Sequence, residues 1–274
     1  MTTNPKTLLN RYDVLPKKSL GQNFLHDPNT LEKIAASADL MPEDTVLEIG
    51  PGTGALTEAL ARLARRVIAV ELDGRLEPIL RERFAATPNV ELVFQDILQT
   101  DVAALVGPEP YVVVANVPYY ITSAILRYLL EAPHRPRQIV LTIQLEVAER
   151  LVAKPGDLSL LAISVQFYAR PRIVSRLSAS VFWPRPDVDS AVLRLDVYDQ
   201  PPVDAPNEAT FFRVVRAGFS QKRKQLKNAL ADGLALPMPE TLAFVEVAGV
   251  DPRRRAETLT LEEWAALARA YASR

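Results

Sequence analysis

Between Thr45 and Gln144, short aliphatic runs alternate with stretches whose apolar positions recur every three or four residues. The runs are Thr45–Gly50, Arg66–Asp73, Val90–Asp96, Tyr111–Val117 and Gln138–Gln144. Between and after them, helices are predicted at 55–64, 74–86, 122–132 and 145–153. Strands that are nearly continuous in apolar residues are buried on both faces, so the alternation predicts a parallel sheet wrapped by helices. Further strand-like segments at 159–168, 172–177 and 190–197 are expected to complete it, with an antiparallel pair at one edge. The stretch from Asp199 to Asn207 carries Pro201, Pro202 and Pro206, which neither extend a helix nor donate to a ladder, and reads as a linker. Beyond it Phe211, Phe212, Val215 and Phe219, then Leu226 and Leu230, then 241–248 and 261–271, keep helical spacing. The expected organisation is a Rossmann-like α/β domain over 1–200 and a small all-helical domain over 206–274.

Composition narrows the chemistry. The chain has 274 residues and 48% hydrophobic content, enough for a sizeable core, and no cysteine, which removes disulfides and thiolate zinc sites. With only His26 and His134, a histidine-built metal site is not expected. The longest uncharged apolar stretch, 110–126, is interrupted by Asn116 and Pro118, and no secretory pattern opens the chain, so a cytoplasmic protein without a membrane span is expected. A net charge of −1 conceals an asymmetry: residues 206–274 hold 11 Lys and Arg against 8 Asp and Glu. Arg213, Arg216, Lys222, Arg223, Lys224 and Lys227 fall within 15 residues that contain no acid, and Arg253, Arg254 and Arg255 follow. Such clustering suits a phosphate backbone, and equally a solvated helix face.

Glu48-Ile49-Gly50-Pro51-Gly52-Thr53-Gly54 lies where the first of these strands meets a helix. Its glycines allow a sharp turn and a close ligand approach, as a nucleotide-type cofactor loop requires. Gly50, Gly52 and Ala55 also satisfy a loose dinucleotide fingerprint, and Glu71, about 20 residues beyond, suits the ribose of either kind of cofactor. Two later strand ends decide between them. Asp96 is placed to accept a hydrogen bond from an adenine amino group, with Ile97 covering the ring. Asn116-Val117-Pro118-Tyr119 fits methylation of an exocyclic amine: the lone pair of such an amine is delocalised into its ring, and acceptors for both amine hydrogens favour the pyramidal, nucleophilic form. The Asn116 oxygen and a carbonyl beside rigid Pro118 provide those acceptors, and Tyr119 stacks on the base. No general base is needed, because the nitrogen becomes cationic on methylation and then loses its proton to water.

These motifs, with Gly21-Gln22-Asn23-Phe24-Leu25 and the segment from Phe182-Trp183-Pro184-Arg185-Pro186 to Val192, resemble the ribosomal RNA adenine dimethyltransferases over nearly the whole chain. The tail segments 219–230 and 255–262 resemble the bacterial small-subunit type, which methylates two adjacent adenines near the 3′ end of 16S rRNA, a step of ribosome biogenesis. The resemblance implies S-adenosyl-L-methionine as co-substrate, 16S rRNA in the small subunit or its precursor as partner, and no metal. It implies that Asn23 and Leu25 help close the cofactor pocket, that Gly50 lies against the methionine part, and that Gly52 is also cofactor-binding. Glu71 then holds the ribose, Asp96 reads the adenine, and Asn116 links cofactor and target amine. Phe182 becomes a second stacking face beside Tyr119. Two positions depart from the pattern, both outside the cofactor residues: the loop after Gly156 is shortened, and Leu145 stands where relatives often carry Lys. No unexplained apolar face is apparent, so a monomer is expected. A vestigial RNA-binding assembly factor and an NAD-dependent oxidoreductase are the competing readings.

Overall fold

The computed structural model describes residues 4–274, apart from the side chains of Lys18 and Tyr119. Its strands are β1 (Phe24–Leu25), β2 (Thr45–Ile49), β3 (Arg66–Glu71), β4 (Val90–Phe94), β5 (Tyr111–Asn116), β6 (Gln138–Gln144), β7 (Ala169–Leu177), β8 (Phe182–Trp183) and β9 (Ser190–Val197). Seven of them form one sheet in the order β4-β3-β2-β5-β6-β9-β7. Pairing is parallel from β4 through β6, and β9 returns antiparallel to β6. β1 and β8 form a separate antiparallel pair, with Phe24 opposite Trp183 and Leu25 opposite Phe182. From β2 the chain moves outward to β3 and β4, then crosses to β5 on the other side. The edge between β2 and β5 is therefore the point where strand order reverses, the place where open α/β sheets bind ligands.

Register fixes which side chains meet there. Val46 pairs with Val67 and with Val112. These residues, with Val114 and Val140, pack one face of the sheet against Leu31 and Ile34 of the helix Pro28–Ser37 and Leu56 and Leu60 of the helix Ala55–Ala61. Side chains alternate along a strand, so Glu48, Glu71 and Asn116 fall on this same face, at the carboxyl ends of their strands. A second cluster gathers Leu76, Ile79, Leu80 and Phe84 with Leu9, Val14 and Phe24.

The chain divides into two compact units, one comprising the chain up to Ala148 with Arg172–Val197, the other Glu149–Pro171 with Tyr198–Arg274. Two sequence expectations differ from this. Residues 159–168, expected as a strand, form the helix Leu160–Tyr168, whose first turn is capped by the Ser159 hydroxyl accepting from Ala162 N–H at 3.2 Å. The periodicity of a short apolar run does not distinguish a strand from a buried helix, and here the cap decides. The segment 149–171 also belongs to the second unit, not to the first domain. The reason is aromatic packing: Phe167 stacks on Phe211 with centroids 4.4 Å apart, and the Tyr168 hydroxyl donates to Glu208 at 3.0 Å. The rest of that unit is helical, with helices Glu208–Phe219, Leu226–Leu234, Met238–Val247 and Leu261–Ala272. Gly218 lies under the Trp264 ring, and a capping box joins Thr260 to Glu263. No described helix is long and apolar enough to cross a membrane.

Candidate active site

A cleft opens over the reversal point. It is lined by the glycine loop, by residues 20–25, and by the ends of β3, β4 and β5. Asn23, Leu25, Gly50, Gly52, Glu71, Asp96 and Asn116 all border it. Gly50, Gly52 and Gly54 adopt positive φ of 71°, 59° and 80°, a region open to glycine at little cost. A Cβ on Gly52 would stand 3.0 Å from the Phe24 ring, and one on Gly54 only 2.7 Å from Phe84. The loop is thus tight against its neighbours as well as tightly turned.

The glycine amides of the loop are already engaged. Gly50 N–H donates to Val70 O at 2.9 Å, Gly54 N–H to Pro51 O at 2.9 Å, and Gly52 N–H to Glu71 Oε2 at 3.0 Å. A dinucleotide loop turns its amides toward a pyrophosphate; this one turns Gly52 to a carboxylate, with the Glu48 carboxyl close by. What faces the cleft there is an acceptor, the Glu71 carboxylate, which suits hydroxyls and positive charge and disfavours the oxidoreductase reading.

Glu71 also accepts from Asp73 N–H through Oε1 at 2.8 Å. Burial raises its pKa, against the pull of those amides. Asp73 continues the network: it accepts from Gln22 Nε2 at 2.9 Å and from both arms of Arg75, whose remaining nitrogen donates to Leu15 O at 3.1 Å. The Arg75 guanidinium beside Asp73 holds its carboxyl down at about 2. The segment from Leu15 to Gln22 is thereby tied to the strand end that carries Glu71.

On β5, Asn116 Nδ2 donates to Asn23 O at 3.1 Å. This bond orients the amide and leaves Oδ1 as its acceptor arm. Asn23 in turn donates to Gly21 O at 3.2 Å. The chain then turns through Pro118, whose carbonyl accepts Ile121 N–H at 3.2 Å, into the 3-10 segment Tyr119–Ile121. The side chain of Tyr119 lies outside the described residues. Asp96 caps its own turn, accepting from Leu98 N–H at 3.0 Å, with a carboxylate still half open to the cleft.

Phe182 is not in the cleft. It is 3% exposed and packs in the cluster containing Leu25, Leu31 and Leu56, so the expected second stacking face is instead core in this structure. The cause is its strand pairing with Leu25, which turns the ring to the apolar side. Sequence reasoning passed over Glu48 as a site residue. It lines the cleft at 1% exposure, and Oε2 has no hydrogen-bond partner. Burial, reinforced by neighbouring Glu71, pushes its carboxyl up to about 8, although the Thr57 hydroxyl and Arg83 pull the other way. Phe24 and Tyr120, also on the cleft wall, were missed as well; their aromatic character beside Asn23 and Tyr119 was the available signal.

This sheet order, with a glycine loop at the reversal point and acidic ends on β3 and β4, defines a Rossmann-like methyltransferase. Residues 15–273 match the family model described as ribosomal RNA adenine dimethylase. Relatives named ribosomal RNA small subunit methyltransferase A are 47% identical in Dehalococcoides mccartyi over 97% of this chain and 92% of the relative, and 47% identical in Geobacillus kaustophilus over 97% and 94%. Among solved structures, the 23S rRNA methyltransferase ErmE is 33% identical with TM-score 0.73, covering 90% of this chain and 99% of that one. A dimethyladenosine transferase from Plasmodium falciparum, at 28% identity, has TM-score 0.79 and covers 91% and 98%. The chain belongs to the ribosomal RNA adenine dimethylase family and is an rRNA adenine dimethyltransferase.

Proposed function

We propose that this enzyme dimethylates the N6 amines of two adjacent adenines near the 3′ end of 16S rRNA, in the small subunit or its precursor, with S-adenosyl-L-methionine as methyl donor. The observation that carries the choice of subunit is the identity near 47% over almost full length to relatives named for the small subunit, against 33% to the 23S enzyme. Engagement of the three glycine amides of the loop supports a sulfonium cofactor over a pyrophosphate-bearing one. When bound, that cofactor supplies an electrophilic methyl group. Glu71 accepts its ribose hydroxyls with the lone pairs that Gly52 and Asp73 leave open, Asp96 takes the adenine amine, and Gly50, Gly52, Asn23 and Leu25 form the walls.

The chain's own chemistry is positional. Asn116 Oδ1, set by the bond from Nδ2 to Asn23 O, accepts one hydrogen of the target amine, and a carbonyl beside Pro118 accepts the other. Tyr119 covers the flipped base, recovering about 1–3 kcal/mol of its unstacking cost. The basic face of the helical unit docks the RNA. There Leu226 N–H donates to Arg254 O at 2.7 Å and Lys227 N–H to Pro252 O at 3.1 Å, which brings the 253–255 loop against the turn carrying Lys222, Arg223 and Lys224. The enzyme acts as a cytoplasmic monomer.

The test supplies purified protein and radiolabelled S-adenosylmethionine to separate small and large subunits from cells lacking adenine dimethylation. Dimethyladenosine in small-subunit RNA alone is expected. Label in the large subunit instead would overturn the substrate assignment. Asn116→Ala should lower kcat about 10²- to 10³-fold, the usual loss when one preorganised hydrogen-bonding group at a reacting centre is removed.

A further inference from the structure

Among the described aromatic side chains Tyr120 alone is largely exposed, at 61%. The other described aromatics are buried or half-buried, including Phe24 on the wall of the same cleft. Tyr120 borders the cleft one residue beyond Tyr119, in the turn that follows Asn116-Val117-Pro118. One ring edge rests over Gly21: a Cβ there would lie 3.5 Å from Tyr120 Cε1 and 3.1 Å from Pro118 Cβ. Gly21 has φ +58°, so the backbone passes beneath the ring without a side chain to displace it. An aromatic ring held at one edge and open on its face, at the mouth of a catalytic cleft, has the form of a stacking platform.

A substrate base supplies what this ring lacks. Taking one adenine out of a stack leaves its neighbour in the strand with an uncovered face, and that neighbour follows the flipped nucleotide at the cleft mouth. We propose that Tyr120 stacks on the nucleobase adjacent to the flipped adenine, which sets the RNA register and accommodates a purine best. This rests on the adenine-methylation reading of the site. The ring recognises a π-face and not a hydrogen-bond pattern, so Phe and Trp should serve in its place, while Leu, apolar but without a π-face, should not.

The experiment compares Tyr120→Phe, Tyr120→Trp, Tyr120→Leu and Tyr120→Ala with wild type, on whichever ribosomal subunit the wild type labels, and measures S-adenosylhomocysteine affinity by calorimetry. Stacking of this kind corresponds to about a tenfold rise in KM for the RNA with Leu and Ala, falling on KM more than on kcat. Phe and Trp should stay within about threefold, and the S-adenosylhomocysteine Kd should move less than about twofold. A Leu variant equal to wild type overturns the proposal, as does an Ala variant that weakens S-adenosylhomocysteine and RNA alike, since the ring would then belong to the cofactor wall. Wild-type protein that labels neither subunit overturns the methylation reading together with this one; labelling by wild type and Leu variant alike overturns this one alone.

Discussion

Glu48→Gln isolates one proton. The carboxyl is wholly buried beside the glycine loop, and its pKa rises from 4.5 to about 8 in the folded protein. The native state keeps this proton up to about pH 8, whereas the unfolded chain releases it near 4.5. In that window the native state binds more protons, so the contribution of Glu48 is complete below about pH 4.5 and is lost as pH rises toward 8. One pH unit corresponds to about 1.4 kcal/mol, so between pH 5 and pH 7 wild type should lose about 2–3 kcal/mol that the glutamine variant keeps. Glutamine preserves the shape, carries no titrating proton, and offers an amide to the Thr57 hydroxyl. The assay is the urea midpoint of both proteins at half-unit intervals of pH, taken as a difference so that titrating groups not coupled to Glu48 cancel. The two curves should diverge steadily, with the variant gaining on wild type as pH rises. Parallel curves between pH 5 and pH 7 would refute the reasoning, because they require Glu48 to be ionised, and therefore solvated or paired, in the native state.

Gly54→Ala combines a left-handed backbone with a Cβ 2.7 Å from the Phe84 ring, and should destabilise by about 2–5 kcal/mol, read as a lower thermal midpoint. Phe182→Ala should cost about 3–5 kcal/mol as a core cavity, while Phe182→Leu keeps kcat/KM within about threefold; a drop of tenfold or more in a folded Leu variant would restore the stacking role. Lys227→Gln should weaken RNA binding several-fold irrespective of sequence and reduce the slope of log affinity against log salt by about one, measured by filter binding across a salt series.

Much of the site was legible because it is built from contiguous segments. The glycine loop, the carboxylates ending β3 and β4, and the Asn116-Val117-Pro118-Tyr119 turn each carry their chemistry within a few residues, and strand periodicity already places Glu48, Glu71 and Asn116 on one face. The parallel strands were legible for a related reason: strands buried on both faces have no polar side to blur the pattern. Tertiary structure alone decided the remainder. Residues 160–168 are helical because a serine cap and an aromatic stack with Phe211 select the helix for a short apolar run whose periodicity fits either state. Phe182 is core because an antiparallel pair with Leu25 turns it inward, a contact 157 positions apart in the chain. The bridge from Gln22 through Asp73 to Arg75, and the proton retained on Glu48, follow from burial and from partners distant in sequence. Local pattern records what a residue prefers; desolvation and long-range pairing, which exist only once the chain has folded, determine what it does.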